Sequence, residues 1–203
     1  NDSENDIDED GLCCNNDGPN HSLYFNGVDS DIEVDGIPQP LNFTVSSKVK
    51  LHDLNSYYGL FQHKNGCIRG GGWLLGIEDG QFRIILTDCG ECSQAACPPD
   101  TDVYWFVDYP LETDKEYDIT FTRSNSHVKL YVDSELIANY ENNTIFAQYG
   151  EQQLKIGHWL DGVNSSHANM TLYDFSYYSN SLNEDNTIDE NSLIVKYDFE
   201  NID

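Results

Sequence analysis

Residues 116–140, EYDITFTRSNSHVKLYVDSELIANY, constrain the fold more than any other part of the chain. Tyr117, Ile119 and Phe121 alternate with polar residues, which predicts a strand with one apolar and one wet face. The polar run Arg123-Ser124-Asn125-Ser126 predicts a turn. Val128, Leu130 and Val132 then alternate in the same way. Asp133-Ser134-Glu135 predicts a second turn, and Leu136-Ile137-Ala138 opens a further strand. This is an antiparallel meander, and its apolar face has to bury against a second layer.

The remaining chain supplies that layer. Residues 22–34 read as two short strands. Phe43, Val45, Ser47, Val49 and Leu51 share one face of a long strand. Residues 57–63 follow, with Gly59 at a bend or bulge. Residues 73–77 and 82–86 flank Asp79-Gly80, a hairpin dipeptide. At least ten strands and no helix are expected. The fold class is therefore all-β, a two-sheet antiparallel sandwich.

The meander also resembles the central signature of the laminin-G-like, concanavalin A-like lectin/glucanase superfamily: a hydrophobic strand, a short turn, V-x-L-Y-V-D-G-x-L and a return strand. Ser134 stands where those domains often carry Gly. The run LYFNGVDSDIEV at 23–34 resembles the family's opening strand pair. LKIG at 154–157 and LYDFSYYSNSL at 172–182 resemble its later strands. The likeness spans about residues 21 to 200. It implies a jelly roll, with the alternating segment 193–199 (Leu193, Val195, Tyr197, Phe199) closing the domain beside the first strand. It says little about function, because one sandwich hosts many activities.

The chain of 203 residues is long enough for one full core. Ten Lys and Arg against 36 Asp and Glu give a net charge of −26. That charge disfavours nucleic acid and anionic membranes and favours divalent cations or cationic partners. No apolar run is long enough to span a bilayer, so membrane insertion is not expected. Six N-x-S/T sequons, at Asn1, Asn20, Asn42, Asn142, Asn164 and Asn169, accompany six cysteines, Cys13, Cys14, Cys67, Cys89, Cys92 and Cys97. Together they predict a secreted, N-glycosylated, disulfide-stabilised extracellular protein. A first residue other than Met fits a mature ectodomain whose signal peptide has been removed.

Residues 1–20 form an acidic N-terminal segment, and 21–203 the sandwich. The segment lacks the apolar residues that would order it alone. Three things could hold it. Asp6-x-Asp8-x-Asp10-Gly11 presents alternate carboxylates as calcium loops do, with Asp17 at the twelfth position, so calcium is the candidate cofactor. Cys13 and Cys14 could each bond a distant partner, since adjacent cysteines rarely bond each other. A neighbouring molecule could order the tail by packing on it. Cys89, Cys92 and Cys97 interrupt the strand pattern. Their spacing has no second pair to complete a zinc site, so disulfides are favoured, part of the loop to Cys67 and part to the tail.

Catalysis is not expected. Some glucanases that share this sandwich use E-x-D-x-x-E on a strand, which puts carboxylates on one face. Glu33 and Asp35 begin that pattern, but Pro38 holds the third site. Glu116 and Asp118 begin it again, but Phe121 holds the third site. Two functions remain. One is a structural or adhesive extracellular module that assembles with copies of itself or other extracellular proteins. It is motivated by the tail, the sequons and 13 tyrosines, a residue type favoured at protein contacts. The alternative is a calcium-dependent, lectin-like module that binds glycans through His158, Trp159 and Asp161, since indole faces match pyranose rings.

Overall fold

The computed structural model describes residues 13–14, 22–64, 71–87, 102–125, 127–141, 151–160 and 165–199. Strand accounts for most of the described chain, with almost no helix. In order the strands are β1 (Cys13–Cys14), β2 (Leu23–Asn26), β3 (Ile32–Pro38), β4 (Phe43–Leu51), β5 (Tyr58–Lys64) and β6 (Gly72–Glu78). Next come β7 (Gln81–Thr87), β8 (Asp102–Val107), β9 (Glu116–Ser124), β10 (His127–Val132), β11 (Glu135–Glu141) and β12 (Glu151–Ile156). The last are β13 (His158–Leu160), β14 (Ser165–His167), β15 (Asn169–Leu172), β16 (Asp174–Tyr178) and β17 (Leu193–Asp198), the last preceded by a 3-10 turn at Glu190–Ser192.

One sheet runs β1-β2-β15-β4-β9-β10-β11, with β16 also paired to β4 and β17 paired to β16. The other runs β3-β12-β5-β6-β7-β8, and β13 and β14 form a separate two-stranded piece. The meander of residues 116–140 is present as read: β9, β10 and β11 pair antiparallel. The burial of β10 alternates strictly, with Val128, Leu130 and Val132 inside. Asp133 and Ser134 both have positive φ, 52° and 67°, the geometry of a tight hairpin turn that glycine takes without strain. The Asp79-Gly80 turn also has positive φ at both residues.

The sheets pack face to face through an aromatic core. Trp73 on β6 stacks on Phe43 of β4 at 4.7 Å between ring centroids, and both are fully buried. The buried hydroxyl of Tyr177 on β16 hydrogen-bonds His63 Nδ1 of β5 at 2.9 Å, tying the sheets at their centre.

The closing strand departs from expectation. β17 does not lie beside β2. β2 pairs with β15 and β17 with β16, both on the side away from β4. Residues 169–178 form one long track interrupted at Tyr173, whose N–H donates to the Lys48 carbonyl. Its two halves carry different neighbours, so the first and last strands follow one another along one edge.

Candidate functional site

The outer face of the larger sheet carries a polar cleft of ≈ 470 Å³. β4 turns every second residue of its later half outward, and β16 and β17 set polar side chains beside them. Ser46 and Lys48 come from β4, Glu116 from β9, Asp174, Ser176 and Tyr178 from β16, and Lys196 and Asp198 from β17. Tyr173, at the break between β15 and β16, and Glu190, from the 3-10 turn, complete the wall.

Opposite charges stand in pairs around the rings. Lys48 Nζ lies 3.0 Å from Glu116 and 5.5 Å above the Tyr173 ring. Lys196 Nζ lies 2.8 Å from Asp198, and the Tyr178 hydroxyl donates to Glu190 at 3.4 Å. The Asp174 carboxylate accepts the Lys48 main-chain N–H at 2.8 Å. The hydrogen bond from Lys48 holds the Glu116 carboxyl below its usual range, and the same bond raises the lysine. Burial pushes the Asp174 carboxyl up.

A second cluster lies at the rim. Gly157 turns the chain from β12 into β13 with φ of +78°. The hairpin β13–β14 then folds back over β5, pressing on it at Gly59, where a Cβ would meet the His158 carbonyl at 2.6 Å. His158 and His167 face each other across the hairpin, with rings stacked at 4.4 Å and 7°. Asp31, just before β3, places a carboxylate oxygen 2.8 Å from His158 Nδ1. Ligand atoms of Asp31, His158 and His167 all lie within 4.8 Å of one another, so this trio could hold a metal ion. Burial holds the His158 imidazole below its usual value, against the pull of Asp31. His167 also lines a smaller cleft of ≈ 320 Å³ with Asn26, Asp53, Ser56 and Tyr57.

Of the residues singled out for a sugar, His158 thus belongs to the rim cluster. Trp159 is 8% exposed and packs with Leu74 and Ile85, its ring edge-on to Tyr57 at 4.2 Å. Asp161 lies outside the described residues, as do Asp6, Asp8, Asp10 and Asp17, Cys67, Cys89, Cys92 and Cys97, and the sequons at Asn1, Asn20, Asn142 and Asn164. The backbone of Cys13 and Cys14 pairs with Tyr24 and Leu23, which docks that part of the tail on β2. Asn42 accepts a hydrogen bond from the Asn125 N–H, and Asn169 accepts one from Tyr24.

Glu33 and Asp35, which begin the first carboxylate pattern, are exposed but hydrogen-bonded. Gln153 Nε2 donates to Glu33 at 2.9 Å and to Asp35 at 3.1 Å, and Lys155 pairs with Glu33. On the outer face of the smaller sheet, β8 exposes Tyr104 (46%) and Phe106 (50%). The Arg83 guanidinium sits over both rings, at 5.2 and 5.7 Å.

The cleft residues carry no sequence motif, since β4, β9, β16 and β17 come from distant parts of the chain. The rim hairpin carried a partial signal. Asp161-Gly162 is a hairpin dipeptide that signals a turn after the first short run, but a two-residue turn there would set His158 opposite Ser165, so the pairing with His167 was not legible.

The fold and these surfaces define a lectin-like jelly roll. A sequence family described as the concanavalin A-like lectin/glucanases superfamily, of the laminin-G type, matches residues 26–186, and the chain belongs to it. No curated protein sequence matches the chain. Among solved structures, the binding domain of botulinum neurotoxin serotype G is similar at 15% identity and a TM-score of 0.59, covering 87% of this chain and 45% of that one. A heptameric SAP-like pentraxin from Limulus polyphemus is similar at 15% identity and a TM-score of 0.60, covering 81% and 78%. A Ruminococcus gnavus IT-sialidase CBM40 bound to α2,3-sialyllactose is similar at 14% and 0.58, covering 77% and 94%. The chain spans less than half the length of the neurotoxin domain.

Proposed function

We propose that the protein is a non-catalytic glycan-binding module whose sugar occupies the cleft between β4, β9, β16 and β17. The observation that carries this reading is the lining itself: paired ammonium and carboxylate groups, serine hydroxyls and two tyrosines around one depression. Sugar hydroxyls both donate and accept, so they satisfy such alternating groups, and the volume suits a small ligand. The superfamily and the similarity to a CBM40 bound to sialyllactose are consistent with a carbohydrate ligand. Four carboxylates face two lysines in the cleft, so anionic sugars are disfavoured and neutral oligosaccharides are the expected class. We place the sugar here rather than on Trp159 because that indole is covered.

Binding to a panel of neutral and sialylated oligosaccharides tests this. Neutral ligands should bind and lose at least about tenfold affinity in Lys48→Ala and Asp198→Ala, where each change removes a charge-assisted hydrogen bond. Binding that ignores both substitutions refutes the cleft. Hydrolysis of the bound oligosaccharide would move the protein to the enzyme class.

A second reading, self-assembly as an extracellular adhesive module, is favoured by Tyr104 and Phe106 exposed on β8, the edge strand of its sheet among the described residues. Sedimentation velocity of the wild type against a Tyr104→Ser, Phe106→Ser variant tests it: oligomers lost in the variant support it, and a monomer throughout refutes it. Secretion, disulfide bonding, N-glycosylation and calcium binding at Asp6, Asp8, Asp10 and Asp17 belong to the same proposal. Peptide mapping of the native protein and calcium titration check them.

A further inference from the structure

We infer that Asp31, His158 and His167 form a binding site for one borderline transition cation of the Zn²⁺ class. The site is separate from the sugar cleft and stands or falls independently of it.

His158 is only 7% exposed, and its Nε2 is engaged with Ser165 Oγ at 2.9 Å. Its Nδ1 has no aligned hydrogen-bond partner, although the Asp31 oxygen is 2.8 Å away. The carboxylate therefore sits beside the ring nitrogen but off the direction in which an N–H would donate. In the tautomer that donates Nε2–H to Ser165, Nδ1 turns a lone pair toward the carboxylate, and a cation bound by both groups satisfies that pair. The hydrogen bond to Ser165 is also the outer contact that fixes a ligating imidazole's tautomer.

His167 adds a second imidazole from the facing strand, half-buried and stacked on the His158 ring. Ligand atoms on one zinc stand about 3 to 4 Å apart, given bonds of about 2.0–2.2 Å. The observed limit of 4.8 Å closes to that with a shift of about 1 Å, within reach of a rotation of the His167 ring. Two imidazoles and one carboxylate select borderline transition ions over calcium or magnesium, which prefer all-oxygen sets. The nearby Lys155 ammonium is paired with Glu33, which limits its opposition to a cation. His167 borders the smaller cleft, so a fourth coordination position faces space for water or a ligand oxygen.

Calorimetric titration of the whole chain with Zn²⁺ tests the site, alongside the melting temperature with and without Zn²⁺. The wild type should bind one equivalent that excess Ca²⁺ does not displace, with a higher melting temperature. His167→Ala and Asp31→Asn should each weaken that equivalent at least about tenfold. Their metal-free circular dichroism should match the wild type, separating ligand loss from misfolding. Co²⁺ should give visible absorption in the wild type, lost in both variants. Absence of a zinc equivalent, its displacement by calcium, or its survival unchanged in both variants overturns the inference.

Discussion

Replacing Gly157 by Ala tests how the rim is positioned. Gly157 has φ of +78°, where an alanine costs about 1–2 kcal/mol. An added Cβ would also stand 2.5 Å from Phe25 Cδ1 and 2.7 Å from Cε1. Normal carbon contacts are about 3.5–4.0 Å, so the ring would have to retreat about 1 Å. Phe25 is fully buried, and crowding such a residue costs about 1–3 kcal/mol. The expected loss is about 2–5 kcal/mol, or about 4–20 °C in melting temperature for a domain of this size. Gly80→Ala is the internal control. Gly80 has nearly the same φ, +76°, but its nearest contact would be the Leu54 carbonyl at 4.0 Å. It should lose only the conformational part, about 1–2 kcal/mol. Thermal melts of the two variants measure the difference. Equal losses refute the claim that Gly157 is required by its approach to Phe25.

Three further outcomes are expected. Ser134→Gly removes a left-handed serine from the β10–β11 turn and should stabilise by up to about 1 kcal/mol in denaturant titration, since relief of strain exceeds the added chain entropy. The Tyr58 and Tyr177 hydroxyls are pushed well above the usual 10 by burial, so the folded state keeps protons that the unfolded chain loses. Stability is therefore intact below pH 10 and falls as pH rises above it, and Tyr177→Phe should show a shallower alkaline slope in melts from pH 8 to 11. The Asp174 carboxyl is raised above 3.8 by burial, so its ionisation costs stability as pH rises through 3.8 to its higher folded value. Asp174→Asn should abolish that slope while its amide oxygen still accepts the Lys48 N–H.

The strands were legible because each carries its own record of burial. Val128, Leu130 and Val132 alternate in sequence and in the structure, and Asp79-Gly80 turns as its chemistry requires. Ser134 marks the same logic from the other side, a non-glycine residue held at positive φ in a turn that favours Gly. Strand pairing was less legible, because β15 and β16 share one track and nothing local says which edge takes β2 and which takes β17. The cleft was invisible for a related reason. Lys48, Glu116, Asp174 and Asp198 are ordinary solvent-facing strand residues until pairing gathers them. Trp159 looked like a sugar platform in sequence, but the same indole also suits Leu74 and Ile85, and folding of the hairpin over β5 decided between them.

The central claim is that a neutral sugar binds between β4, β9, β16 and β17. Backbone amide shifts during titration with the tightest neutral oligosaccharide of a broad panel test it most directly. The account predicts saturable shifts concentrated at Ser46, Lys48, Tyr173 and Ser176, with the amides of His158 and His167 unmoved. Shifts confined to the rim hairpin, or no saturable shift with any neutral oligosaccharide, would contradict it.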